Sequence, residues 1–97
     1  MKPSIALEKH REAVRAAIKR YPTIANPRVF GSVLHGDDTD DSDLDLLVDT
    51  LPGTTLFTLG GLQEELQSVL GVPVDVVVVK ELNHRIKGRV MAEAKPL

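Results

Sequence analysis

The segment Val72–Val79, which reads VPVDVVVV, constrains the fold of this 97-residue chain more than any other. Six of its eight residues are valine, and β-branched side chains favour the pleated backbone of a strand. Because apolar residues run on without polar alternation, the pattern is typical of a strand that is buried on both faces. We therefore expect a sheet that carries helices packed against it.

The rest of the chain alternates between helical and strand patterns. Apolar residues at helical spacing predict a first helix that starts near an N-cap at Ser4, and the polar loop HGDDTDDS is expected over residues 35–42. The other predicted elements are strands at 28–30, 44–48 and 72–79 and helices ending at Tyr21, spanning Leu56–Leu70 and spanning 82–94. The order α-β-β-α-β-α predicts an α/β (α+β) fold, with a small mixed sheet of three or more strands and residues 1–97 as a single domain.

Composition excludes several other classes of protein. There is no cysteine, so neither a disulfide framework nor a thiolate zinc site is possible, and the three histidines are scattered. No Gly-x-x-x-x-Gly-Lys-Ser/Thr motif occurs. No signal-peptide pattern or membrane-length apolar run is present either, so we expect a cytoplasmic protein without membrane contact. With aromatics at only 3%, the chain offers no stacking platform for direct nucleic-acid binding.

Three carboxylates stand out against this background. Asp43 and Asp45 are two residues apart at a predicted strand, so both side chains leave the same face of the sheet. Asp75 is the one charged residue in the valine run. If its strand neighbours the Asp45 strand, the three would converge on a hard cation such as Mg²⁺ or Mn²⁺. The alternative for Asp75 is a buried carboxylate that is held by an arginine or by backbone N–H groups.

Two further features complete the candidate site. Gly31-Ser32 follows a predicted strand, where glycine lets backbone N–H groups approach an anion and the serine hydroxyl can donate to it; an ordinary turn is the alternative. The remaining acidic residues of the loop are expected to be solvated, namely Asp37, Asp38, Asp40 and Asp41. Basic residues flank this acidic centre on both sides in sequence, which suits a metal site that attracts a polyanion.

The spacing of these residues resembles a known family. Gly31-Ser32, ten residues, Asp43-x-Asp45 and a later Asp75 are similar to the signature of the DNA polymerase β-like nucleotidyltransferase superfamily. The string from Phe30 to Val48, the element order and the total length resemble its minimal nucleotidyltransferases (MNT domains), the antitoxins of HEPN/MNT toxin–antitoxin modules. HEPN denotes the higher-eukaryote-and-prokaryote nucleotide-binding family.

The resemblance implies a role for each of these residues. Asp43 and Asp45 would bind two Mg²⁺ ions (Mn²⁺ being possible), and Asp75 would complete the catalytic metal site. Gly31 and Ser32 would hold the phosphates of ATP, the nucleotide substrate. Many relatives carry arginine at the positions of Val33 and His35, which this chain lacks, so the resemblance makes His35 a candidate phosphate ligand. Basic residues that could replace the missing arginine are Lys80, Arg85, Lys87 and Arg89.

The resemblance also implies a partner, a HEPN-family toxin that is usually a ribonuclease. The expected activity is Mg²⁺-dependent transfer of AMP from ATP to a tyrosine of that toxin, with release of pyrophosphate. A non-catalytic antitoxin that masks its toxin by complex formation remains the main alternative. Transfer to a small molecule ranks lower, because relatives that do so carry an extra domain. Polymerisation is disfavoured, since the chain has no thumb-like extension.

Overall fold

The computed structural model describes residues 1–97 and contains four α-helices, one 3₁₀ helix and four strands. None of the helices is both long and apolar enough to cross a lipid bilayer. In chain order the elements are α1 Pro3–Lys19, β1 Ile24–Phe30, α2 Ser32–His35, β2 Leu44–Thr50, α3 Leu56–Leu70, β3 Val74–Val78, the 3₁₀ helix Val79–Glu81, α4 His84–Glu93 and β4 Lys95–Pro96.

The four strands form one mixed sheet in the order β3-β2-β1-β4. β2 pairs in parallel with β3, whereas β1 is antiparallel to both β2 and β4. The fold class and element order predicted from sequence are therefore confirmed. Three short elements were not predicted: the two-residue strand β4, the 3₁₀ helix Val79–Glu81, and the single helical turn α2, which takes up residues assigned in part to a polar loop.

Alternation along β2 divides the sheet into two unequal faces. Leu44, Leu46 and Val48 point into the main core, which α1 and α3 cover. Leu47 points to the opposite face, where it meets Val79 and Val90 in a much smaller apolar cluster. Most of the second face is therefore left to polar side chains.

Helix α3 has the bounds that its cap residues predict. Thr55 and Thr58 form a reciprocal capping box at its start, and Gly71 ends it in the left-handed conformation with φ of 70°. Leu62, Leu66 and Leu70 line its buried face. Local signals thus define this helix completely.

The prediction that the valine run is buried on both faces was wrong. β3 is an edge strand of the sheet, and Asp75, its second residue, is exposed to solvent. Val74 and Val78 are buried in the main core, while Val76 is only partly buried. Because Asp75 keeps its contact with water, its charge does not carry the penalty of a buried carboxylate.

Asp38 was expected to be solvated, but it is buried with 6% of its surface exposed. Its Oδ2 atom accepts the backbone N–H of Ser4 at 2.9 Å, in the first turn of α1. The helix begins at Pro3 and has no side-chain cap at its own N-cap Lys2, so the predicted capping by Ser4 was also wrong. A carboxylate from the distant loop satisfies this helix end instead, and the hydrogen bond lowers the pKa of Asp38.

Two leucines of α3, one buried and one exposed, provide a matched test of the core packing. Replacing the fully buried Leu66 with alanine should lower the free energy of unfolding by about 2–5 kcal/mol, because it leaves a cavity. Leu56→Ala removes the same atoms from a side chain that is 81% exposed and should cost under about 0.5 kcal/mol. Urea unfolding measures the free energy of both variants, and equal losses would contradict the burial of Leu66 in the main core.

Candidate active site

The register of β2 and β3 places two of the predicted carboxylates side by side. Asp45 and Asp75 are direct partners across the parallel pair, so both side chains project from the same face. Asp43 stands two residues before Asp45, just ahead of the first residue of β2, and is exposed. The structure therefore meets the condition on which the predicted triad depended, that the two strands be neighbours.

The pKa of Asp45 reflects its closeness to the other two aspartates. Partial burial, followed by the negative charges of Asp75 and Asp43, raises the pKa of Asp45 from its ordinary value near 4 to about 6. At neutral pH the face thus gathers like charges that repel one another. Such a group is stabilised when a cation lies among its oxygens.

Asp49 lies on the same face of β2 but has its own partners. Its Oδ2 atom accepts hydrogen bonds from Asn26 Nδ2 at 2.8 Å and from the Arg28 guanidinium at 2.9 Å. The Asn26 bond, together with Arg28 and the charge of Lys80, lowers the pKa of Asp49. Leu47 lies between Asp45 and Asp49 on this face. The Asp49 carboxylate, which Arg28 neutralises, is therefore separated from the cluster of Asp43, Asp45 and Asp75, which has no such partner.

Gly31 joins the carboxylates to the chain segment that precedes them. It follows β1 with φ of 75°, a conformation that glycine adopts without strain. A Cβ atom at this position would overlap Oδ2 of Asp45 and lie 3.1 Å from its Cγ. Glycine therefore allows the backbone turn to lie directly against the Asp45 carboxylate.

A cleft of about 570 Å³ opens beside this turn, between the end of β1, α2 and α4. Gly31, Ser32 and His35 all line it, so the three predicted phosphate ligands share one concave surface. None of the three aspartates lines it; the contact of Gly31 with Asp45 is what connects the cleft to the carboxylates. The remaining lining residues are Phe30, Asp37, Ile86, Arg89, Val90 and Glu93.

His35 already has a partner within the cleft. Its Nε2 atom lies 3.1 Å from Oε2 of Glu93, near the end of α4. A phosphate would therefore compete with this carboxylate for His35. Of the four basic residues proposed to replace the missing arginine, Arg89 alone lines the cleft.

The three aspartates have the ligand atoms that a hard divalent cation prefers, but they do not form a ready-made coordination site. Asp43, Asp45 and Asp75 offer only carboxylate oxygens, as Mg²⁺ and Mn²⁺ prefer. No group of three acidic or histidine side chains is arranged closely enough to hold a metal ion as it stands. Strand register brings the aspartates to one face, while mutual repulsion favours their separation.

A second cleft, of about 450 Å³, lies where the end of α1 meets β1 and β4. Arg15, Lys19 and Tyr21 line it together with prolines and aliphatic residues. It contains none of the residues singled out from the sequence. This second cleft is therefore not part of the candidate site around the carboxylates.

Comparison with known proteins gives consistent matches. Residues 7–97 match the family model described as Nucleotidyltransferase domain. A chain of Methanocaldococcus jannaschii, named as a candidate protein adenylyltransferase, is 36% identical over 66 residues, covering 68% of this chain and 71% of the relative. The protein adenylyltransferase MntA of Thermococcus cleftensis is 38% identical over 65 residues, covering 67% of this chain and 66% of the relative.

Solved structures give the same result. The structure of a candidate minimal nucleotidyltransferase superposes with a TM-score of 0.85 at 41% identity, covering 97% of this chain and 95% of that one. A toxin–antitoxin crystal structure with AMP-PNP superposes with a TM-score of 0.68 at 22% identity, covering 84% and 69%. At that identity the second likeness shows a shared fold.

The contact between Gly31 and Asp45 can be tested with a matched pair of substitutions. Gly31→Ala and Gly36→Ala both place a side chain at φ of 75°, but the ψ of -149° at Gly31 is a conformation that almost only glycine adopts, whereas the ψ of 17° at Gly36 is the left-handed helical one, which costs alanine about 1–2 kcal/mol. Only Gly31→Ala also drives a methyl group into the Asp45 carboxylate, whereas Gly36 faces open space. Gly31→Ala should thus lose more free energy of unfolding in urea titration, and part of this excess should disappear in an Asp45→Gly background, which removes the carboxylate; an unchanged excess there would show that the contact is not tight.

The raised pKa of Asp45 predicts a pH dependence of stability in the metal-free protein. Between its unfolded pKa near 4 and its folded pKa of about 6, the folded state binds more protons than the unfolded state, so stability falls as pH rises. Asp45→Asn should therefore increase the free energy of unfolding by about 1–3 kcal/mol near pH 8. The gain should vanish below about pH 4.

The control for that experiment is Asp41→Asn, which removes an exposed carboxylate from the neighbouring loop. Chemical unfolding across the pH range, with a chelator present, compares the two variants. A loss of stability in Asp45→Asn at alkaline pH would contradict the crowding of charge at Asp45.

Proposed function

The chain belongs to the nucleotidyltransferase domain family, and from this premise we propose that it transfers AMP from ATP to a partner protein in a Mg²⁺-dependent reaction. The family resemblance inferred from the Gly31-Ser32 and Asp43-x-Asp45 spacing is confirmed by the match over residues 7–97. The observation that carries the proposal is the register pairing of Asp45 with Asp75, with Gly31 packed against the Asp45 carboxylate. We also infer that residues 1–97 form a single minimal nucleotidyltransferase domain.

The proposed reaction is attack by an acceptor hydroxyl oxygen on the α-phosphorus of ATP. A bond forms from that oxygen to phosphorus, the bond to the bridging oxygen of the β-phosphate breaks, and pyrophosphate leaves. Asp43 and Asp45 would hold two Mg²⁺ ions, with Asp75 completing the site at the acceptor side. When bound, the ions would neutralise the triphosphate and the charge that develops during transfer.

The residues of the chain then contribute position and charge. Asp75 is exposed at the sheet edge, where an incoming hydroxyl can reach it and pass it a proton. Gly31 and Ser32 line the cleft next to Asp45, so they would hold the terminal phosphates while the α-phosphate lies at the carboxylates. His35 would join them on release from Glu93. Such positioning is the main work in this chemistry, because no covalent intermediate is needed.

The protein acceptor is proposed from the relatives. Chains of two archaea that are 36% and 38% identical carry names that describe protein adenylyl transfer. Solved structures with the same fold come from toxin–antitoxin complexes. We therefore propose that the acceptor is a tyrosine of a HEPN-family ribonuclease toxin and that transfer of AMP neutralises the toxin.

A second candidate is an antitoxin that masks its toxin by binding alone. The observations that favour it are the pairing of His35 with Glu93 and the lack of arginine at the positions of Val33 and His35. It predicts that neutralisation survives loss of the carboxylates. The two functions therefore separate in a single experiment.

The experiment incubates the purified chain and the product of its neighbouring gene with Mg²⁺ and ATP. Label at the α-phosphate should enter the partner and label at the γ-phosphate should not, and intact mass spectrometry should show the gain of AMP. Asp43→Asn should lower the rate about a hundredfold or more, because it removes charge stabilisation of several kcal/mol.

Asp40→Asn serves as the matched control, since Asp40 is an exposed carboxylate of the same loop that contacts only the N-terminal ammonium group. It should transfer AMP at the rate of the unmodified chain. If no label enters the partner while a stable complex forms, transfer is excluded and the masking function stands.

A further inference from the structure

We infer that Arg89 of α4 binds the terminal phosphates of the nucleotide, supplying from a helix the cation that the loop after Gly31 lacks. This inference rests on the proposed function, because it assigns a residue to the triphosphate of that reaction. It differs from the family pattern, in which the expected arginines lie at the positions of Val33 and His35.

The position of Arg89 follows from the packing of α4. The next residue, Val90, is the one buried side chain of that helix, and it packs with Leu47 and Val79 on the second face of the sheet. Phe30, at the end of β1, packs against the same cluster and also lines the cleft. This anchor holds Arg89 at the wall of the cleft, opposite the turn that contains Gly31.

The charge of Arg89 is not neutralised within the chain. The arginines at positions 11, 15, 20 and 28 each form an ion pair with a carboxylate, whereas Arg85 and Arg89 form none, and of these two only Arg89 lines the cleft. Glu93 lies one helical turn further along and is spaced to pair with Arg89. Its carboxylate instead contacts His35, so the exposed guanidinium is left to face the cleft.

The chemistry of this wall suits a polyphosphate. A guanidinium presents a planar fork of donors that matches two phosphate oxygens, and it stays charged at any relevant pH. Ser32, whose side chain carries a hydroxyl, lines the same cleft, and Gly31 connects the cleft to Asp45. A nucleoside triphosphate with its α-phosphate at the carboxylates would thus extend its β- and γ-phosphates towards Arg89.

The test is calorimetric binding of AMPCPP, an ATP analogue that cannot transfer AMP, and of AMP itself, both with Mg²⁺. Arg89→Ala should weaken AMPCPP binding about tenfold or more, because a charge-assisted hydrogen bond is lost. AMP lacks the terminal phosphates, so its affinity should stay within about twofold. Arg89→Lys should recover part of the AMPCPP affinity, because it keeps the charge without the fork.

Arg85→Ala is the matched control: it removes the same side chain one turn earlier on α4, from an exposed position outside the cleft. It should leave the affinity for both nucleotides unchanged. If Arg89→Ala binds AMPCPP as tightly as the unmodified chain, or loses AMP affinity equally, the inference is wrong while the proposed function stands. If the unmodified chain binds neither nucleotide, the proposed function fails and the inference fails with it.

Discussion

The period-two alternation along β2 is the constraint on which the site depends. Leu44, Leu46 and Val48 enter the main core, so the carboxylate of Asp45 must leave on the opposite face. A shift of one residue would bury the acidic side chains and expose the leucines, at a cost of several kcal/mol for each charge. The same hydrophobic burial that stabilises the sheet thereby places the carboxylates together.

The parallel pairing of β2 with β3 adds the third carboxylate in a way that limits the electrostatic cost. Because β3 is at the edge of the sheet, Asp75 remains in contact with water and its charge is screened. The electrostatic cost of ionisation is greater at Asp45, because it is partly buried and lies beside both other aspartates. The structure thus concentrates negative charge on an open face, which stability alone would disfavour and cation binding would use.

How far the sequence predicts this structure depends on how local each determinant is. Helix α3 was predicted to the residue, because its apolar spacing and the glycine that ends it, Gly71, both lie within its own segment. The edge position of β3 was missed, because a valine run looks the same whether or not a second strand lies beside it. Asp38 was missed for a similar reason, since its partner Ser4 is 34 residues away.

The residues of the candidate site also divide into those whose positions follow from local sequence and those whose positions depend on tertiary contacts. Spacing predicted Gly31, Ser32 and the aspartates as site residues, and the structure pairs Asp45 with Asp75 and places Gly31 against Asp45, because these positions follow from one turn and two strands. The choice of Arg89 over the other three basic residues needed the packing of Val90 and the pairing of Glu93 with His35, which are tertiary contacts. The position of a charged side chain on α4 depends on how that helix packs against the sheet. The position of a charged side chain in the loop after Gly31 would depend on the backbone turn alone. If Arg89 binds phosphate as proposed, phosphate binding and the packing of α4 would be coupled through neighbouring residues of one helix.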